Sequence, residues 1–251
     1  MDTFVEHIVE PKILLLAWQA PDHMNNRRRW VVAKVDVQTE NWTLRYLSSD
    51  EFKKANAGKT LEQVLSLGFE GYPAFYRRAT QTSFDRGVRE AFMRRLPPRT
   101  RSDFPEYLRR FGFRDGASLS DAAILAYTEA KLPSDGFSLV GELQLEMTVG
   151  DLMLDVAGAR YQEFGDTCPA KPGDKLRLRK EPTNEHDPLA IEVLWHDQRL
   201  GYVNRLQAPV IGHWMDTRKM TAIVQRVNGR SGNPKVYVLL QVRPSTDQLA
   251  A

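Results

Sequence analysis

Four stretches follow one another in the second half of the chain: Val156-Ala157-Gly158-Ala159-Arg160-Tyr161, then Lys175-Leu176-Arg177-Leu178-Arg179-Lys180, then Glu181-Pro182-Thr183-Asn184-Glu185-His186-Asp187-Pro188-Leu189-Ala190-Ile191-Glu192-Val193, then Leu200-Gly201-Tyr202-Val203-Asn204-Arg205. Apolar and polar residues alternate within them, and Pro172-Gly173-Asp174, Pro182-Thr183-Asn184 and Asp187-Pro188 punctuate them. Short alternations with turn residues every 8–12 positions or so are the pattern of a sandwich or barrel. The expected strands are 156–161, 175–180, 190–195, 199–203, 221–227 and 235–242. One amphipathic helix, with Leu206, Val210, Ile211 and Trp214 on a single stripe, interrupts them.

Upstream the character differs. Residues 13–18, 30–37 and 42–47 alternate as strands, separated by polar turns around Asp22–Arg29 and Gln38–Asn41, and predict a small antiparallel sheet. Helical signals then take over. Thr60-x-x-Gln63 is a capping box with Gly68 as the stop, and Phe84, Val88, Ala91, Phe92 and Leu96 recur at helical spacing until Pro97-Pro98. Asp103 and Glu106 open a further helix that Gly112 ends. Ser118 or Ser120 caps another, which runs through Leu132 to Pro133 and Gly136. The change of character places a domain boundary within Ser138–Leu154, giving residues 1–145 and 146–251.

A chain of 251 residues suits one large or two ordinary domains, and 42% hydrophobic with 27% charged residues excludes a disordered or collagen-like chain. The longest apolar run, Ile13-Leu14-Leu15-Leu16-Ala17-Trp18, falls far short of the roughly 20 residues of a membrane span. Acidic Asp2, Glu6 and Glu10 before it do not suit a secretory signal, so a cytoplasmic protein with no membrane partner is expected. A lone cysteine, Cys168, forms no internal disulfide and no thiolate metal cluster.

The net charge of +3 is unevenly spread: between Gly71 and Arg114 eleven Arg and no Lys face Asp85, Glu90, Asp103 and Glu106, leaving the rest of the chain net acidic. Arg favours planar anions such as phosphate and carboxylate. The block reads either as an anion-binding surface or as a solvated helical face paired with acids elsewhere.

Enzyme signatures are missing. Gly58-Lys59-Thr60 resembles the end of a phosphate loop, but Lys53 stands where the first glycine belongs. Cys168 sits among Pro169, Pro172 and Gly173 with no evident base. No catalytic residue, metal or cofactor is expected. Glu185-His186-Asp187 and His196-Asp197 could supply metal ligands for an enzyme acting on nucleic acid, if the strands brought them together, but turn chemistry accounts for Asp187-Pro188 more simply.

The ordered set V-x-G-x-R-Y, N-x-x-D-x-x-A-I and G-[YH]-[VL], here at Val156–Tyr161, Asn184–Ile191 and Gly201–Val203, resembles the HIRAN domain over about Leu154 to Val242. The resemblance implies a small SH3/OB-like β-barrel with one or two helices, behind an α+β N-terminal domain. It further implies binding of single-stranded DNA with capture of the 3′-hydroxyl end. By position it assigns Arg160 to phosphate, Tyr161 to base stacking, Asp187 to the terminal hydroxyl, and Tyr202 and Arg205 to the end nucleotides. His186 stands where the fork-remodelling members usually carry Tyr; its smaller ring can still stack, and its charge would make that contact pH-dependent. A carboxylate accepts a hydrogen bond from a hydroxyl and repels a phosphate, so Asp187 suits a free 3′ end. Read without the resemblance, Asn184 and Asp187 make an Asx-type turn, and Tyr161 and Tyr202 are barrel-wall aromatics.

In the first half, three strands followed by Phe92-Met93-Arg94-Arg95-Leu96-Pro97 and a Ser-capped helix at Ser118–Leu125 are similar to the N-terminal subdomain of HipA-type toxin kinases. That resemblance implies a protein-interaction role. The kinase core's His-x-Asp loop and Asp-Phe-Gly have no counterpart, so no phosphoryl transfer is expected. The rival to a DNA-binding protein is then an interaction component of a toxin–antitoxin-like system.

Overall fold

The computed structural model describes residues 3–21, 24, 28–132, 135–162, 164, 168–230 and 232–245. The chain is mixed α+β. Its contacts group into two compact units, one of Glu10–Phe104 with Leu119–Glu142, the other of Met1–Val9, Pro105–Ser118 and Leu143–Ala251. The last change of unit along the chain falls between Glu142 and Leu143; the earlier exchanges have no counterpart in the sequence reading.

In the first unit, β1 (Ile13–Gln19), β2 (Arg29–Asp36) and β3 (Thr43–Tyr46) form the expected meander, with Leu14, Leu16, Ala33, Val35 and Leu44 wholly buried. Helix α1 (Ser49–Ala55) starts from a Ser48/Glu51 capping box and α2 (Leu61–Leu65) from the Thr60/Gln63 box. A short hairpin, β4 (Gly71–Tyr72) and β5 (Phe75–Tyr76), precedes β6 (Ser83–Phe84). The helix expected from Phe84 to Leu96 is shorter. Phe84 pairs with Leu44 in the sheet and packs its ring on Tyr46 and Phe75, Gly87 turns left-handed at φ 67°, and α3 covers only Val88–Met93.

Helix α4 (Phe104–Arg109) runs across the change of unit, and α5 (Asp121–Thr128) starts where the Ser120 hydroxyl accepts the Ala123 amide at 2.9 Å. It stops before Leu132 because Glu129 and Ala130 take positive φ. Pro133 lies outside the described residues, as do Asp22, His23, Asn25, Asn26 and Arg27 of the first turn. Strand β7 (Phe137–Gly141) then returns to pair with β1, completing the order β6-β3-β2-β1-β7.

Much of the arginine block is paired. Arg95 is buried and donates to the Ala130 and Phe137 carbonyls and to Asp135. Arg89 and Arg99 share Asp121, Arg101 meets Asp103, and in the other unit Arg109, Arg110 and Arg114 meet Asp115, Glu106 and Glu6.

The second unit is built on β8 (Gly150–Asp155), a 3₁₀ turn (Ala159–Tyr161), β9 (Lys175–Lys180), β10 (Ile191–Trp195), β11 (Gln198–Tyr202), α6 (Ala208–Thr217), β12 (Arg218–Arg230) and β13 (Asn233–Pro244). Its first strand thus ends before Val156, where a strand was expected to begin, because Gly158 turns left-handed at φ 75° and throws Ala159–Tyr161 into the 3₁₀ turn. The sheet order is β11-β10-β9-β12-β13-β8, and a bridge between Ala157 and Tyr202 joins its two ends into a barrel. Leu154, Ile191, Val193, Leu200, Val224, Val238 and Leu240 fill the core, into which α6 sets Ile211 and Trp214. Among the described residues no helix is long and apolar enough to cross a membrane.

Candidate nucleic-acid interface

The site residues gather where the barrel closes. Ala157 and Tyr202 exchange both backbone hydrogen bonds at 2.8 Å. Glycine is required at 201: a Cβ there would lie 2.4 Å from the Ala157 carbonyl oxygen and 2.7 Å from Val156 Cγ1. Gly158 faces both tyrosines, since its Cβ position is 3.9 Å from Tyr202 Cδ2 and 4.0 Å from Tyr161 Cδ2. The two rings therefore flank one point of the backbone. Tyr161 is 68% exposed, and the Arg160 guanidinium lies 4.6 Å from its ring centroid and donates to its hydroxyl.

The loop between β9 and β10 carries the acid. Asn184 Oδ1 accepts the amides of His186 and Asp187, each at 3.0 Å, which is the Asx turn expected of it. Its amide group donates to Glu181 at 2.7 Å and reaches the Tyr202 hydroxyl at 3.5 Å, tying the loop to the tyrosine. Asp187 Oδ1 caps the Leu189 amide at 3.0 Å, while Oδ2 lies 3.9 Å from the Arg205 guanidinium, both side chains about one-fifth exposed. His186 is exposed beside it.

Tyr202 is no barrel-wall aromatic bonded to backbone carbonyls. Its hydroxyl donates to Glu181 at 3.0 Å and accepts from Arg199 at 2.7 Å, with the Arg199 guanidinium 5.2 Å from the ring centroid. Burial pushes the phenol above its ordinary pKa, and the Glu181 hydrogen bond adds to this. The Asn184 hydrogen bond holds the Glu181 carboxyl below its usual range. Burial depresses the Arg205 guanidinium, and Asp187 acts the other way.

The structure thus brings Arg160, Tyr161 and Tyr202 together around Gly158, and sets Asp187 against Arg205, with Asn184 joining the two groups. Arg199 and Glu181 are the members sequence reasoning missed; the only signal was their place beside Tyr202 and Asn184. A recess of about 260 Å³ opens on the loop between Pro188–Ile191 and α6, and none of the six expected site residues lines it. Among the described residues no three His, Cys, Asp or Glu side chains group as metal ligands. His196 sits in the β10–β11 turn at φ 51°, its ring against Trp195.

Comparison with known proteins agrees with the barrel's location. The HIRAN domain family model matches residues 149–244. Among solved structures, the HIRAN domain of human HLTF is similar at 19% identity, covering 40% of this chain and 81% of that one with a TM-score of 0.34. A Lactobacillus plantarum protein is similar at 23% identity, covering 38% of this chain and 99% of that one with a TM-score of 0.31. No curated protein matches the chain.

Proposed function

From the HIRAN domain at residues 149–244 we infer that this protein is a non-enzymatic binder of single-stranded DNA that receives a strand's 3′-hydroxyl end beside Asp187. The observation that carries the reading is the pairing of a carboxylate and a guanidinium at 3.9 Å, next to two tyrosines on the same barrel seam. Asp187 Oδ2 accepts a sugar hydroxyl, and Arg205 neutralises the phosphate one step back along the strand. Tyr161, largely exposed, stacks on a base of any sequence, and Arg160, whose guanidinium lies over the Tyr161 ring, holds the backbone. A terminal phosphate in the place of the hydroxyl meets the Asp187 charge and is disfavoured.

Fluorescence anisotropy with 3′-hydroxyl and 3′-phosphate oligonucleotides, on the wild-type chain and on Asp187→Ala, tests this. The wild type should favour the hydroxyl end. Asp187→Ala should lose that preference and gain for the phosphate, because Arg205 is released from its acid. Equal affinities in all four combinations discard end recognition, and no binding at low salt discards nucleic-acid binding.

A further inference from the structure

The sheet face that carries Tyr202 continues past it. Arg179 and Tyr202 both stand directly opposite Glu192, on β9 and β11, and Arg177 and Arg199 both stand opposite Leu194 in the next row. Directly opposed residues share a face of the sheet, so these side chains cover one surface. Two inter-strand steps of about 4.8 Å set Arg179 about 10 Å across the sheet from Tyr202.

Beneath this surface lies a carboxylate out of water. The Glu192 side chain is 5% exposed, whereas those of Arg179 and Arg199 over it are 56% and 39% exposed. One Glu192 oxygen accepts Arg179 Nε at 2.6 Å and the other accepts Arg199 Nη1 at 3.3 Å. A buried ion pair adds little net stability over an apolar residue of the same size. What Glu192 supplies is orientation: it fixes both guanidinium groups, Arg199 being held further by Gln162 and the Tyr202 hydroxyl. Arg179 has no other hydrogen-bond partner among the described residues. Among the described residues the Arg177 side chain meets only Asp197, at 3.0 Å, on a side chain 98% exposed, a pair that water and salt weaken readily. Against these cations the face carries Glu181, Glu192 and Asp197, the first two already committed to the site network.

We propose that the polynucleotide strand runs from the end site at Tyr202 across β11, β10 and β9, with Arg179 and Arg177 contacting its backbone phosphates. The proposal rests on the nucleic-acid reading above and extends its footprint beyond the end nucleotides. Planar, preoriented guanidinium groups suit phosphate oxygens, and the contact is indifferent to base.

The test uses the full chain, a 3′-hydroxyl trinucleotide and a dodecamer, with anisotropy titrations over a series of salt concentrations. Both arginine side chains are more than half exposed and the buried Glu192 keeps its Arg199 partner, so Arg177→Gln/Arg179→Gln should keep the fold, which a thermal melt verifies. The double variant should leave trinucleotide affinity within about twofold while flattening the dodecamer's slope of log K against log salt by about 1.4, two single-strand phosphate contacts. An unchanged dodecamer slope overturns the path, and so does an equal loss on both oligonucleotides, which would place the arginines at the end site. If the wild type binds neither oligonucleotide, the functional reading itself falls, and this extension with it.

Discussion

Arg199 lies across the ring of Tyr202, its guanidinium carbon 5.2 Å from the centroid and its Nη1 donating to the phenol oxygen at 2.7 Å. The tyrosine is thus held from both sides, since its hydroxyl donates onward to Glu181 at 3.0 Å. Ring and hydroxyl are separable: the hydroxyl ties the tyrosine to Glu181 and Arg199, and on the proposed reading the ring is the surface offered to a base.

Tyr202→Phe keeps the ring and deletes the hydroxyl. It should cost about 0.5–1.5 kcal/mol of stability in urea denaturation and leave oligonucleotide affinity nearly unchanged. Tyr202→Ala should lower affinity by the stacking contribution of about 1–3 kcal/mol, roughly 5–150-fold. A Phe variant that binds as poorly as the Ala variant would shift recognition from the ring to the hydroxyl.

Glu129 predicts an acid-sensitive first unit. Its carboxylate is buried, yet Arg29 at 2.5 Å and Lys131 at 2.8 Å outweigh the desolvation that burial imposes, and its pKa falls from 4.5 to about 2. A carboxyl more acidic in the folded state stabilises the fold fully above its unfolded pKa and loses that contribution as pH falls through the folded value. Wild-type stability should therefore decline between about pH 4.5 and pH 2 by an amount on the order of 1–3 kcal/mol relative to Glu129→Gln, which lacks the titration. Denaturation curves at pH 5 and pH 3 measure it; parallel declines in the two proteins would remove Glu129 as the cause.

The parts legible in the sequence are those that local pattern determines. Strands β9, β10 and β11 declare themselves by alternation bounded by Pro, Gly and Asx turns, and Asn184 makes the turn its side chain favours. What was hidden depends on pairing between distant segments. Nothing near Phe137–Gly141 indicates that it joins β1, and nothing near Ala157 indicates that Tyr202 is its partner. The arginine block shows the same limit. Arg95 and Arg94 are adjacent and chemically identical, yet Arg95 is buried because two carbonyls and Asp135 converge on it, while Arg94 is exposed. Glu192 reads as an ordinary outward polar residue of an alternating strand, yet its side chain is buried and paired with Arg179 and Arg199, which come from two other strands.

Asp151 carries the last prediction. Its side chain is wholly buried at the edge of β8, where one oxygen accepts the amides of Glu6 and His7 at 2.8 and 3.0 Å and the other accepts Arg243 at 2.7 Å. The Asp151 amide in turn donates to the His7 carbonyl, and Ile8 pairs with it in parallel, so residues near the start of the chain cover an edge that would otherwise be open. Replacing Asp151 with Ala removes the acceptor of the Glu6 and His7 amides and of the Arg243 guanidinium, which is 29% exposed and keeps the Gly150 and Val242 carbonyls, so the loss is on the order of 1–3 kcal/mol. Asp151→Ala should lower the urea midpoint by a corresponding amount. Deleting residues 1–9, which removes the two amides while keeping the acid and Arg243, should also destabilise the barrel, whereas Glu6→Ala, which keeps the amide, should not. A deletion that melts like the full chain would show that the edge is closed without this segment.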